Sequence, residues 1–250
     1  MGGRVVVDCF PDAVARYRPP WTIVAVDVIR ATTTIVTALD QGRRCVPVAT
    51  LDHALAVAGR LDDPLLAGEL GGSTPYGFEM TNSPAELARR TDVHRPLVLL
   101  STSGTQLICG ARPGQAVYAA SLRNYGAQVA HFAETGGDIA VIGAGARGTF
   151  RREDKLACAW IARGLVTAGY RPEGDAHDVI ERYGGAPIET IATGASARYL
   201  LETGQRRDLE FILGHVDDVD GVFCLLDEEM VDARACRAQG KHAGDRREAG

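Results

Sequence analysis

Lysine is almost missing from this chain: of 27 basic residues only Lys155 and Lys241 are not arginine. The skew reads first as genomic composition, and arginine also suits bidentate capture of phosphate or sulfonate. Long apolar runs are missing too. No stretch approaches the roughly 18 residues of a membrane span, and Met1-Gly2-Gly3-Arg4 enters a strand pattern without a signal-peptide core. A soluble, cytoplasmic protein with no membrane partner is expected. There is no basic stripe, and the formal charge of −5 with a pI near 5.7 excludes a general nucleic-acid binder. Cys-x-x-Cys is absent. The six cysteines stand singly in apolar surroundings, which excludes a zinc ribbon and predicts mostly reduced core residues. Gly-x-Ser-x-Gly is absent, which removes a hydrolase of that type. Ile29, two positions after Asp27, removes a D-x-D phosphoaspartate mechanism. None of the six histidines falls in a strand-end loop, so surface or interface roles are expected for them.

What is present is an alternation of strand and helix patterns. Thr22 to Val28 reads as a buried strand, and Ile35, Val36 and Leu39 as a helix ending at Gly42. Between them, Asp27-Val28-Ile29-Arg30-Ala31-Thr32-Thr33-Thr34 places a carboxylate, a guanidinium and three hydroxyls at a helix N-terminus, where free N–H groups favour an anion. Helix capping alone would also account for the threonines. The pattern continues with a strand from Arg43 to Ala49, a helix from Asp52 to Arg60 with Asp52 at its cap, and a short strand delivering Glu69. A glycine-rich loop follows, then Ser83-Pro84-Ala85-Glu86 opens a helix as a capping box. Leu97 to Leu100, Ala116 to Ala120 and Asp138 to Ile142 are further strands, with Ser121 expected as a cap and a long helix from Arg152 to Ala168. Tyr170 to Gly185 reads as a loop or lid. Ile188 to Glu202 and Asp208 to Leu213 read as helices, and Gly221 to Leu226 as a late strand. The expectation is one α/β domain over residues 1–231, three-layer α/β/α with a mainly parallel or mixed central sheet, and a disordered tail over 232–250. Strand order and self-association stay open.

Four strand ends deliver polar residues into loops: Asp27 to Thr33, Glu69 with Asn82 and Ser83, Thr102-Ser103-Gly104-Thr105, and the turn from Gly143 to Asp154. Ligands of open α/β sheets gather at such ends. Asp27, Glu69, Glu153 and Asp154 are hard oxygen donors suited to Mg²⁺, while Arg30, the threonines and backbone amides suit a phosphate beside it. First-turn acids stabilising the helix dipole would equally account for Glu153 and Asp154. Gly143-Ala144-Gly145-Ala146-Arg147-Gly148 matches the dinucleotide fingerprint G-x-G-x-x-G, but the acid expected about 20 residues later falls in a turn.

These stretches resemble the 2-phosphosulfolactate phosphatase (ComB) family. The matches are Asp27 to Val36, Leu66 to Glu69, Gly77-Phe78-Glu79 with Asn82-Ser83-Pro84, Thr102 to Thr105, Asn124, and Gly148 to Asp154 ahead of Ala157-Cys158-Ala159. The resemblance implies a Mg²⁺-dependent phosphatase converting 2-phospho-3-sulfolactate to 3-sulfolactate and phosphate, a step towards coenzyme M. It implies Asp27, Glu69 and Asp154 as metal ligands, with Glu153 as substitute or support, and Asp27, Arg30, Glu153 and Asp154 as the catalytic group. Thr32, Thr33 and the loop Thr102, Ser103, Gly104 and Thr105 would bind phosphoryl oxygens, and Asn82, Ser83 and Asn124 would orient substrate. Departures fall in the loops that would read the substrate: Leu70 where the family has arginine, Glu79 for Asp, Met80-Thr81 for Leu-Gly, Ser103 for Asn, and Arg151-Arg152 for Ser-Leu. Arg147, Arg151 or Arg152 would compensate for Leu70, or the substrate differs. A related phosphatase with a shifted substrate, or a catalytically weak anion-binding relative, are the alternatives.

Overall fold

The structure, a computed structural model, describes residues 2–111 and 114–234. Its strands are β1 (Arg4–Cys9), β2 (Thr22–Val26), β3 (Cys45–Val48), β4 (Leu65–Gly68), β5 (Leu97–Leu100), β6 (Val117–Ala120), β7 (Ile139–Gly143), β8 (Arg171–Glu173), β9 (Phe223–Leu226) and β10 (Glu229–Asp232). Its α-helices are α1 (Ala31–Asp40), α2 (Leu51–Ala58), α3 (Pro84–Leu87), α4 (Gly104–Cys109), α5 (Tyr125–Thr135), α6 (Arg152–Thr167), α7 (Ala176–Tyr183), α8 (Ala195–Glu202) and α9 (Arg206–Gly214).

The strands form one mixed sheet in the order β4-β5-β3-β10-β9-β6-β2-β7-β1-β8. Two blocks, β4-β5-β3 and β6-β2-β7-β1-β8, are parallel within themselves. Between them lies the β9–β10 hairpin, antiparallel to both neighbours. Three successive antiparallel pairings make the blocks run in opposite senses, so in a flat sheet their carboxyl ends would lie on opposite edges. The two blocks nonetheless share one core. One apolar cluster joins Ile23, Ala25 and Val117 of one block to Leu65, Leu97 and Cys45 of the other, through Ile35 of α1 and Leu107 of α4. The helices α1 and α4 thus cover one face of the sheet, with α5, α6 and α7 on the other face of the longer block and α2 on that of the shorter. The central strands β3, β5 and β7 are buried along their whole length, as expected of strands covered on both faces.

The α/β class and mixed sheet agree with the sequence reading, and local details differ. The second strand stops at Val26, which leaves Asp27 and Val28 in the turn. Thr50, not Asp52, caps α2 by accepting from the His53 N–H. Ser83 caps α3 as expected, whereas the cap position of α5 is Asn124, three residues after Ser121. Tyr170 to Gly185 is no lid: it forms β8 and α7, the latter packed on α6. Pattern reading missed β10 because its alternating Glu229-Met230-Val231-Asp232 resembles the polar tail. It carries the chain past residue 231 into the sheet, and Ala233 donates its N–H to Val222 O. The rest of the expected tail lies outside the described residues. Cys9, Cys45, Cys109 and Cys158 are free thiols. Among the described residues no helix is long and apolar enough to cross a membrane.

Candidate active site

A cleft of about 370 Å³ opens where the loops after β2, β4, β5 and β7 converge, and α8 closes one side. Each loop delivers a polar residue held by local bonds. Asp27 follows β2 directly. Its N–H donates to Thr32 Oγ1 and the Thr32 hydroxyl donates back to Asp27 O, both at 2.9 Å. The Thr33 hydroxyl donates to Val28 O at 2.8 Å and that of Thr34 to Arg30 O at 3.2 Å. The threonine run therefore braces the junction with its side chains.

Glu69 bridges two loops. One of its oxygens accepts from Thr102 N–H at 2.7 Å, the other from the Thr102 hydroxyl and Gly72 N–H, both at 2.8 Å. Asp154, in the first turn of α6, accepts from Val28 N–H and Gly145 N–H, both at 3.0 Å. This last bond places a carboxylate on the Gly145 amide, the group that a dinucleotide pyrophosphate would require of the Gly143–Gly148 turn. Glu153 is buried beside it, with Oε2 left without a partner. Asn82 is also buried and lines the cleft with an unpartnered Oδ1.

Four carboxylates thus share one cleft, and the three that are buried titrate accordingly. Burial, followed by the charge of Glu69, pushes Asp27 up to about 7 against the pull of the Ala31 N–H. Burial and then Asp27 and Glu153 hold Asp154 well above the ordinary carboxylate range. Burial raises Glu153 as well, opposed by the Ser196 hydroxyl. Positive charge lines the same cleft as Arg30, Arg147, Arg151 and Arg198. Arg30 is buried and donates from Nη1 to Asp208 Oδ2 and Gln205 Oε1, both at 2.5 Å.

The donor set fits a hard divalent cation in kind: four carboxylates, the orphaned Glu153 and Asn82 oxygens, and mutual repulsion that a cation would relieve. Among the described residues no three acidic, histidine or cysteine side chains already converge on one point, so a cation would have to draw them inward.

Of the residues singled out in the sequence, Asp27, Arg30, Glu69, Asn82, Thr102, Ser103, Gly145, Arg147, Arg151, Glu153 and Asp154 line the cleft. The others do not. Thr32 and Thr33 are buried with their hydroxyls committed to backbone oxygens. Thr105 exchanges hydrogen bonds with Ser101 across the start of α4. Gly104 packs so tightly on Asp27 and Ala31 that a Cβ has no room. Ser83 caps α3 and donates to Asp208. Asn124 ties Ser121 to Gly221, away from the cleft. Pattern reading overlooked Asp208, whose signal was available: it lies one turn before Ile212 on the buried face of α9. It also overlooked Ser196, Arg198 and Tyr199 of α8, which carry no local motif.

A model of the 2-phosphosulpholactate phosphatase family matches residues 9–226. Among curated relatives, a protein of Deinococcus radiodurans is 34% identical over 83% of this chain and 88% of its own length. One of Thermotoga petrophila is 34% identical over 76% and 83%, and one of Symbiobacterium thermophilum 33% over 75% and 84%. Each is described as a probable 2-phosphosulfolactate phosphatase.

Proposed function

Since the chain belongs to the 2-phosphosulpholactate phosphatase family, we propose that its cleft is the site of a Mg²⁺-dependent phosphoric monoester hydrolase. The substrate is a small anionic phosphorylated hydroxy acid, 2-phospho-3-sulfolactate first, and the products are the hydroxy acid and phosphate. One observation carries this reading: three buried carboxylates, the half-buried Glu69 and a buried arginine face the same small cleft, and all three buried carboxylates have raised pKa values.

Asp27, Glu69 and Asp154 are the residues assigned to Mg²⁺, with Glu153 beside them. The ion would neutralise phosphoryl charge and acidify water. Arg30 presents its guanidinium to the phosphoryl oxygens, where negative charge persists through an in-line displacement. Thr102 and Ser103 border the phosphoryl position, and Asn82 accepts a hydrogen bond from the substrate or supplies a further oxygen. Arg147 and Arg151 line the cleft and supply cations for the remaining anionic groups, whereas Arg152 donates to Thr193. Leu70 is exposed. A related phosphorylated hydroxy acid is the second reading, favoured by this apolar residue on the Glu69 loop.

Phosphate release from 2-phospho-3-sulfolactate and a panel of phosphorylated hydroxy acids, with and without Mg²⁺, tests the assignment. Sulfonated substrate should be preferred and EDTA should stop turnover. Equal rates on a non-sulfonated analogue would move the substrate to the second reading, and no release from any would remove the phosphatase reading.

A further inference from the structure

Asp208 is acidic, 3% exposed, and sits on α9, about 180 residues after the strand end that carries Arg30. Its two oxygens do different things. Oδ1 accepts from the Ser83 hydroxyl at 2.5 Å and from Ala85 N–H at 3.1 Å, which fixes it to the start of α3. Oδ2 accepts from Arg30 Nη1 at 2.5 Å. Gln205, from the turn between α8 and α9, takes a second bond from the same nitrogen at 2.5 Å. Thr81 takes a long one from Nη2 at 3.4 Å.

A guanidinium has five N–H donors in a planar fork. Both donors of Nη1 are used by Gln205 and Asp208, and one of Nη2 is partly used by Thr81. The side-on pair, Nε–H with the other Nη2–H, is what remains for the cleft that Arg30 lines. Buried ion pairs are costly to assemble and contribute little net stability, so three anchors on one carboxylate point to control of orientation.

We propose that Asp208 is a positioning residue: held by Ser83 and Ala85, it fixes the rotation of the Arg30 guanidinium so that its side-on edge meets the phosphoryl oxygens. The proposal rests on the phosphatase reading for its substrate but makes a separate statement about Arg30. Because Ser83 and Asp208 come from α3 and α9, it also makes correct docking of those helices a condition of full turnover.

The test combines kinetics with ¹⁵N NMR of the arginine side chains in the full chain. Asp208→Asn should lower kcat by about tenfold or more, as loss of a preorganised donor does. It also removes a negative charge near the phosphoryl site, so inhibition by inorganic phosphate should change less than about threefold. The Arg30 Nη signals should show restricted rotation in the wild type and free rotation in Asp208→Asn. If that variant does not fold, the charge-neutral Gln205→Leu removes one support and should lower kcat by about threefold with little change in Tm, and Ser83→Ala, which also removes the α3 cap, should lower kcat alongside a fall in Tm. Unchanged kcat in these variants, or freely rotating Arg30 signals in the wild type, would overturn the proposal. If the wild type hydrolyses no phosphate ester with Mg²⁺, the phosphatase reading fails, and the NMR result alone decides the Asp208 clamp.

Discussion

Asp27 concentrates the chemistry of this chain in one side chain. Burial and the nearby Glu69 push its carboxyl up to about 7. An unfolded aspartic acid loses its proton near pH 4, so between about pH 4 and pH 7 the folded, metal-free chain holds a proton that the unfolded chain has released. Stability is therefore highest at the acid end of that window and falls as pH rises through it. Thermal denaturation in EDTA should show Tm dropping from pH 5 to pH 8, with Asp154, also raised, adding in the same direction. Mg²⁺ should recover the loss, and more at pH 8 than at pH 5. Asp27→Asn should flatten the profile and weaken the Mg²⁺ effect. A Tm that rises with pH in EDTA would contradict the crowding of these acids.

At the scale of elements, the cleft is a product of how strand ends meet helix starts. Position in the chain made Asp27, Glu69 and Asp154 visible, because each ends a strand pattern or opens a helix pattern. The threonines were misleading for a physical reason: a hydroxyl at a helix start serves the backbone as readily as a ligand, and here Thr32, Thr33 and Thr105 serve the backbone. Asp208 was legible as an acid on the buried face of α9 but its partner Arg30 was not, and α8 carried no motif, since both helices reach the site only by docking after a long crossover. Gly104 shows how tightly α4 is fitted to α1: an added Cβ would meet the Asp27 carboxylate and Ala31. Gly104→Ala should cost about 1–3 kcal/mol in urea denaturation by overpacking. It should also displace Asp27 and lower phosphate release by about 10²-fold. Activity and stability both within error of wild type would show that the contact yields.

At the scale of the molecule, the site draws on loops of two parallel blocks of opposite sense, with the β9–β10 hairpin as the joint between them. The strands of both blocks except β8 were legible as apolar runs, but their order and opposed directions were not, because pairing between distant strands leaves no local pattern. Met230, 1% exposed and paired with Cys45, sits at that joint. Met230→Ala should cost about 2–5 kcal/mol in urea denaturation, and a loss well below 1 kcal/mol would mean that the joint is not a packed seam.

In the proposed site, Mg²⁺ and substrate meet at Asp27. The direct measurement is the rate of phosphate release from 2-phospho-3-sulfolactate across a Mg²⁺ titration, for the wild type and for Asp27→Asn at equal folded concentration. The wild type should rise from near zero to saturation, and Asp27→Asn should stay at least about 10²-fold lower at every Mg²⁺ concentration. Release that persists in EDTA, or that survives Asp27→Asn at the wild-type rate, would contradict it.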